Sequence, residues 1–352
     1  SMDLTAQPVY VEHWSIYSAT STYGKREKDV RVEPSNGDLF FYKHSDKRYP
    51  WDFWCEVIAS KLGQLLGLNI APYEPAYSKD GSGKYIWGCL SPLLHNPKEG
   101  EEFVHGQSYL QMCKPDFETH RGTDHDYELI QQALHLAGGH VEDFQKFHEM
   151  LVFDALICNR DRHQENWALI RSSKEDLPEP PLAPPEESEE AEAWGKLVKE
   201  MLRVIFSGLS ARLAPIYDSG TSLGHNLLEA RMSAMLAEHS REGLQRFATG
   251  SKATAHIRWQ GSRLRHDELL RNIGKASPEM LLAALTKITD AFDPQVIAEL
   301  LEVIDAKVVR EEVKKELIPA AYMLNPVRKS FIRELLYLRH QELCKLREQI
   351  RG

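Results

Sequence analysis

Apolar positions recur at two different periods along this chain, and the change of period divides it. From Val9 to Leu90 short β-rich runs dominate. Val9-Tyr10-Val11 and His13 to Tyr17 read as strands, and Asp29 to Val32 alternates. Asn36-Gly37 marks a hairpin turn before the run Leu39-Phe40-Phe41-Tyr42-Lys43. One helix interrupts this pattern: Phe53, Val57, Ile58, Leu62, Leu65 and Leu66 share a face over Trp51–Leu66, and Gly67 stops it. Asp80-Gly81-Ser82-Gly83 turns the chain into Tyr85–Leu90, a buried strand.

From Tyr127 onward the period becomes helical. The pattern predicts helices over Tyr127–Leu136 and Val141–Ile157, with a buried strand at Trp167–Ile170. Residues 172–193 break the pattern with prolines among acidic residues, a composition that cannot bury enough apolar surface to order itself. A helix is expected to resume over Trp194–Ser207. Ser277-Pro278-Glu279 reads as a helix start with Ser as the cap, and Pro294–Val309 and Pro326–Ile350 as further helices. The expected fold class is therefore α+β in two lobes: a strand-rich N-terminal lobe over 3–92, and a helical lobe over 93–352 that carries the 172–193 insert as a disordered acidic loop.

At 352 residues with 42% hydrophobic content, the chain can bury a sizeable core. No apolar run reaches membrane-spanning length and no signal peptide is visible, so a cytoplasmic protein is expected, with secretion as an effector left open. The five cysteines are scattered, odd in number and without metal-ligand spacing, which points to reduced thiols. A net charge of −9 argues against duplex nucleic acid as a partner. A local basic cluster, Lys252, Arg258, Arg263, Arg265 and His266, either receives a phosphate or an acidic substrate or is simply solvated.

Candidate chemistry lies where an apolar run enters a polar knot: Phe153 to Ile157, then Cys158-Asn159-Arg160-Asp161-Arg162-His163-Gln164-Glu165-Asn166. Asp161 and Asn166 stand five residues apart. Phosphoryl-transfer loops use that spacing, with Asp as proton acceptor and Asn as magnesium ligand. A carboxylate accepts a proton; an amide oxygen holds a hard cation without adding negative charge beside the phosphates. Further on, Tyr217-Asp218-Ser219-Gly220-Thr221-Ser222 places a carboxylate after a short strand and before a glycine turn, suited to bridging metal and phosphates. Either motif alone is an ordinary polar loop; together they point to a site. Lys43, ending a hydrophobic strand, is the candidate phosphate clamp. Asp52 and Glu56 share a face of the next helix, and Glu56 is the favoured partner of Lys43. The segment Ser18–Lys28, with Ser21, Thr22, Gly24 and Lys28, can bring backbone N–H groups to phosphate oxygens. Cys89, Leu90 and Ser91 are candidate adenine contacts. Arg162 and His163 are read as ordering the catalytic loop.

The two motifs resemble those of HipA-like serine/threonine kinases, including the standalone CtkA-type members, and Gly24-Lys25-Arg26-Glu27-Lys28 resembles their phosphate loop with Ala and Gln replaced. The Asp161-Arg162-His163 to Asn166 core is also similar to phosphatidylinositol kinases. The resemblance implies a kinase-like fold, ATP and Mg2+ as cosubstrate and cofactor, a protein substrate and, as in HipA-like toxins, an antitoxin-like partner. It also implies autophosphorylation at Ser21, with Thr20 or Thr22 as alternates, unless these hydroxyls only bond the loop backbone. A phosphoinositide or small-molecule kinase, and a pseudokinase binding module, remain as alternatives.

Overall fold

The computed structural model describes residues 2–20, 28–172, 188–207, 211–313 and 315–352. The strand-rich part comprises β1 (Val9–Tyr10), β2 (Ser15–Thr20), β3 (Lys28–Val32), β4 (Leu39–His44), α1 (Phe53–Leu65), β5 (Glu74–Lys79) and β6 (Tyr85–Pro92). The chain continues through β7 (Glu101–His105), α2 (Gly106–Cys113), α3 (Tyr127–Leu136), α4 (Val141–Ile157) and β8 (Ala168–Ser172). Then come α5 (Glu189–Ser207), β9 (Arg212–Leu213), α6 (Glu229–Ala237), α7 (Glu242–Thr249), α8 (His266–Ala276), α9 (Pro278–Ala291), α10 (Pro294–Val303) and α11 (Pro326–Arg351).

The first sheet has the order β1-β5-β6-β4-β3-β2. β1 runs parallel to β5 and the other pairs are antiparallel. Its register places Lys28 opposite Lys43 and Lys43 opposite Cys89, so these three side chains share one face. On that face Tyr77, Trp87 and Cys89 join α1 and the main core. The other face is closed by Val11, Tyr42, Ala76 and Leu90, with Trp14 and Phe40 packed against them. Gly88 allows β6 to lie close to β4, because a Cβ there would collide with the Lys43 carbonyl oxygen.

In the helical part α4 is buried along most of its length, as its apolar run requires, and packs on α9 and α11. A small antiparallel sheet, β7-β8-β9, crosses the region and receives the strand that leaves the polar knot. The segment Glu101–His105, to which the sequence assigns no role, is the edge partner of β8. α11 is pinned from within. Its buried Arg328 donates to the carbonyls of Gly224 and Leu227, and buried Arg339 to those of Ala155 and Ala248. Among the described residues no helix is long and apolar enough to cross a membrane.

Three local expectations change. The helix expected over Pro294–Val309 ends at Val303, with Ile304 as its C-cap. The helix after the acidic stretch begins at Glu189 rather than Trp194, because the Ser188 hydroxyl accepts from the Ala191 N–H and acidic residues fill its first turn. At α9 the Ser277 hydroxyl makes no cap bond; it accepts instead from the Tyr127 hydroxyl at 3.2 Å. Residues 173–187 of the expected acidic loop lie outside the described residues.

Candidate active site

Lys43 is 3% exposed, and its ammonium donates to Glu56 Oε1 at 2.8 Å and Asp218 Oδ1 at 2.5 Å. Burial opposes its charge, but the carboxylates of Asp218 and Glu56 overcome that penalty and hold its pKa well above the usual lysine value. The Tyr73 ring lies 5.8 Å from the ammonium, and burial pushes that phenol well above its ordinary pKa. Glu56 sits inside α1, where the helix is buried on the sheet. Its second oxygen accepts the Ser219 N–H at 2.6 Å. One helical carboxylate therefore ties β4 to the Tyr217-Asp218-Ser219 turn. Asp218 itself adopts a left-handed backbone, φ 56°, a strained state for a residue with a Cβ. That conformation persists because its neighbours on both sides are fixed.

The catalytic-loop motif starts at another left-handed residue, Cys158 (φ 55°), which ends α4. Buried Arg162 organises the loop around itself. Its Nε and Nη2 donate to the two oxygens of Asp154, each at 2.9 Å. Nη1 donates to the carbonyls of Asn166, at 2.9 Å, and of Tyr217, and Nη2 also to Ser219 Oγ at 3.0 Å. One guanidinium thus joins α4, the 161–166 loop and the Asp218 turn. Asp154 also accepts the Asn159 side-chain amide at 3.0 Å, and Asn159 Oδ1 in turn accepts the Asp161 N–H. The Asn166 side-chain N–H donates to the Asp161 carbonyl at 2.7 Å, which orients the amide. Tyr217 closes the far side, donating its hydroxyl to the Glu165 carbonyl at 2.7 Å. His163 accepts the Glu165 N–H within the loop at 3.1 Å.

The structure therefore brings Lys43, Glu56 and Asp218 into direct contact, and it joins the segment holding Asp161 and Asn166 to them through Arg162. Ser21, Thr22 and Gly24 lie outside the described residues. Lys28 is on the Lys43 face of the sheet, with its ammonium 5.9 Å from the Phe41 ring. The three adenine candidates divide. Cys89 and Leu90 pair with β4 on one side and β5 on the other, so their backbone groups serve the ladder, and the Leu90 side chain faces away from Lys43. The Cys89 side chain keeps to the Lys43 face. Ser91 lies beyond the last β5 pair, on the Lys43 face, and its buried hydroxyl has no hydrogen-bond partner among the described residues.

Asp154, the carboxylate partner of Arg162, is not marked by the sequence motifs. Its signal is an acid inside the apolar run Phe153 to Ile157, where a charge persists only if paired. Tyr73 and Ser219 carry no comparable signal; only the fold places them at Lys43 and Arg162.

No protein-family model matches the chain, and no curated protein matches it. Among solved structures, that of a Helicobacter pylori proinflammatory kinase, CtkA, is similar over 98% of this chain and 98% of its own, with a TM-score of 0.67 at 14% identity. At that identity the likeness defines the fold: a kinase fold, with a strand-rich sheet followed by a mostly helical part.

Proposed function

We propose that this chain is an ATP- and magnesium-dependent protein serine/threonine kinase of HipA-like type. The observation that carries the reading is the Arg162 hub. Residues 154, 166, 217 and 219 come together at one guanidinium, and Ser219 continues to Glu56 and Lys43. A binding scaffold without chemistry needs no such union of a lysine, a catalytic-loop Asp and two cation-binding side chains.

The residues present fit the groups the reading requires. The donor end of the Asn166 amide is committed to Asp161, which leaves its oxygen end for a cation. The Asp218 side chain is 27% exposed against 2% for Glu56, so of the two Lys43 carboxylates it is the one accessible from solvent. Among the described residues no group of three or more acidic, His or Cys side chains forms a metal cage. Magnesium bound with a nucleotide takes only one or two protein carbonyl or carboxylate ligands. The Ser91 hydroxyl, buried and unpartnered among the described residues, offers a polar contact to a base on the Lys43 face.

In this reading Lys43 neutralises the ATP phosphates, held in place by Glu56. Asn166 and Asp218 hold magnesium, which supplies charge neutralisation at the transferred group. Asp161 accepts the proton of the attacking hydroxyl, and Arg162 and Asp154 keep its loop in register. Ser21 is the proposed site of autophosphorylation, with Thr20 or Thr22 as alternates; a phosphate there adds about −1.5 to −2 charge at neutral pH.

Incubation of the purified chain with labelled ATP and magnesium, against protein and lipid pools, tests the reading. Label on serine or threonine in the protein pool, absent with Asp161→Asn, is the expected result. Label in lipid alone assigns the phosphoinositide alternative, and ATP binding without transfer assigns the pseudokinase. Mass spectrometry of residues 18–22 after the same incubation tests Ser21.

A further inference from the structure

The segment whose His256 ring lies 6.0 Å from His163 of the 161–166 loop carries arginines that the proposed chemistry does not use. The segment from Ala253 to His266 folds back on itself through the bridges Thr254↔Arg265 and Trp259↔Ser262, with the tip at Gln260-Gly261. It is held to the start of α3 at several points. The Arg258 N–H donates to the His125 carbonyl, the Tyr127 N–H to the Arg258 carbonyl, and the Gly261 N–H to Asp126 Oδ2. Gly122 packs so closely beneath it that a Cβ would come within 2.9 Å of the His256 ring. The excursion is therefore a preformed wall.

Two of its cations have only neutral acceptors among the described residues. Arg258 is buried, and its guanidinium donates to the carbonyls of His256 and Arg121; the Arg263 Nε donates to the Thr254 hydroxyl. Arg265, in the same segment, is paired with Glu268 at 2.5 Å and turns away from this role. Arg160 and Arg263 are both exposed. Burial and the charge of Arg160 lower the pKa of Arg263, while the Asp161 carboxylate opposes the shift. The His256 ring lies 6.0 Å from the His163 ring, and His256 is pushed down to about 3 by burial and by the charges of His163, Arg258 and Arg263. The wall's charge at neutral pH thus rests on the arginines. Three arginines share the single Asp161 carboxylate here, which leaves attraction for a further anion.

We infer that Arg160 and Arg263, backed by Arg258, form an acceptor subsite for an acidic peptide, with a Glu or Asp flanking the hydroxyl that Asp161 deprotonates. The inference rests on the protein-kinase reading and names its substrate class. A peptide suits the wall better than an anionic lipid surface. Among the described residues none of the exposed large apolar side chains lies in the Ala253–His266 segment, where membrane docking would need them.

Two measurements on the full chain test this. The first needs no chemistry: fluorescence polarisation with a fluorescein-labelled peptide carrying one serine between glutamates, and with its lysine counterpart. The expected result is binding of the acidic peptide only, weakened by salt. Arg160→Glu or Arg263→Glu should weaken it about three- to tenfold each. The second is the ratio of kcat/KM for the two peptides, which should favour the acidic one in the wild type and fall toward or past unity in either variant. Arg160 is exposed, so its variant keeps the readout if Arg263→Glu misfolds. Equal binding of both peptides, or an unchanged ratio in both variants, overturns the subsite while transfer itself upholds the kinase reading. Arginine-dependent binding of the acidic peptide without transfer to any substrate does the reverse. Stronger arginine-dependent binding to phosphoinositide vesicles than to the peptide replaces the peptide by a lipid.

Discussion

The two sides of Asp161 treat charge in opposite ways. On one side Lys43, Glu56, Asp218, Arg162 and Asp154 pair cation with anion, all buried except the part-exposed Asp218. On the other, Arg258 and Arg263 have only neutral acceptors among the described residues, and Arg160 is exposed. A buried ion pair returns little net stability, because desolvation offsets the attraction, but it fixes geometry, since any other arrangement strands a charge. The paired side therefore acts as a frame that holds its shape before a ligand arrives. In the subsite inferred above, the arginine side, without a carboxylate partner of its own among the described residues, keeps electrostatic energy available for a docking anion. Where a site is internally neutralised it positions; where it is not, it recognises.

The sharpest way to break the comparison is at Asp218. Asp218→Ala should largely abolish magnesium-dependent ATP binding, because the cation then loses its carboxylate. Calorimetry that finds the wild-type affinity for Mg-ATP retained would remove Asp218 from the cation site. Asp161→Asn should leave the fold and nucleotide binding intact and lower kcat by about 10²–10⁴-fold. Near-normal turnover would move the base elsewhere.

Asp154→Ala probes the frame itself. It strands the Arg162 guanidinium inside the protein and should cost about 3–5 kcal/mol of stability, read from denaturant unfolding. Unfolding at the wild-type midpoint would mean that the hub carbonyls alone satisfy Arg162. A smaller effect is expected from acid. His266 is 3% exposed behind the loop, and its pKa is pushed from 6.5 to about 3 by burial and then by Arg339 and Arg160. A histidine held neutral in the fold favours folding fully above its unfolded value. That contribution is lost as pH falls from about 6.5 toward 3, because the unfolded chain binds the proton first. Thermal midpoints should drop between about pH 7 and pH 5, and His266→Leu should shallow the drop. An equal drop in the variant would assign it to other groups. Arg160→Glu should be the mildest, within about 0.5 kcal/mol in stability, since an exposed side chain leaves no buried partner behind. A large stability loss there would join Arg160 to the frame.

Much of the paired side could be read from the sequence because its parts are local. Asp161 and Asn166 lie on one short loop, and Glu56 lies on a helix whose apolar face is explicit in the spacing of Val57, Ile58 and Leu62. Choosing Glu56 over Asp52 also needed only helical geometry. Asp154 was visible in principle, as a charge inside an apolar run, but its partner was not, since Arg162 and Asp154 meet across a turn reversed by a left-handed Cys158. Among the adenine candidates, which side chain faces Lys43 could not be read from Tyr85–Leu90 alone, because β6 is paired on both sides and only sheet order decides that.

By itself, then, the chain's patterning determined the change from strands to helices, the boundaries of α3 and α4, and the two polar motifs, since each depends on contacts within a few residues. The tertiary structure decided what meets what: Lys43 with an aspartate 175 residues away, Ser91 rather than Leu90 on the Lys43 face, and the His256 ring against His163. The basic cluster shows the difference most plainly. Lys252, Arg258, Arg263, Arg265 and His266 are one group in sequence, yet Arg265 is neutralised and His266 is buried, while Arg160 joins from a distant loop. Charge is written in the sequence, but its neutralisation depends on neighbours brought in through space.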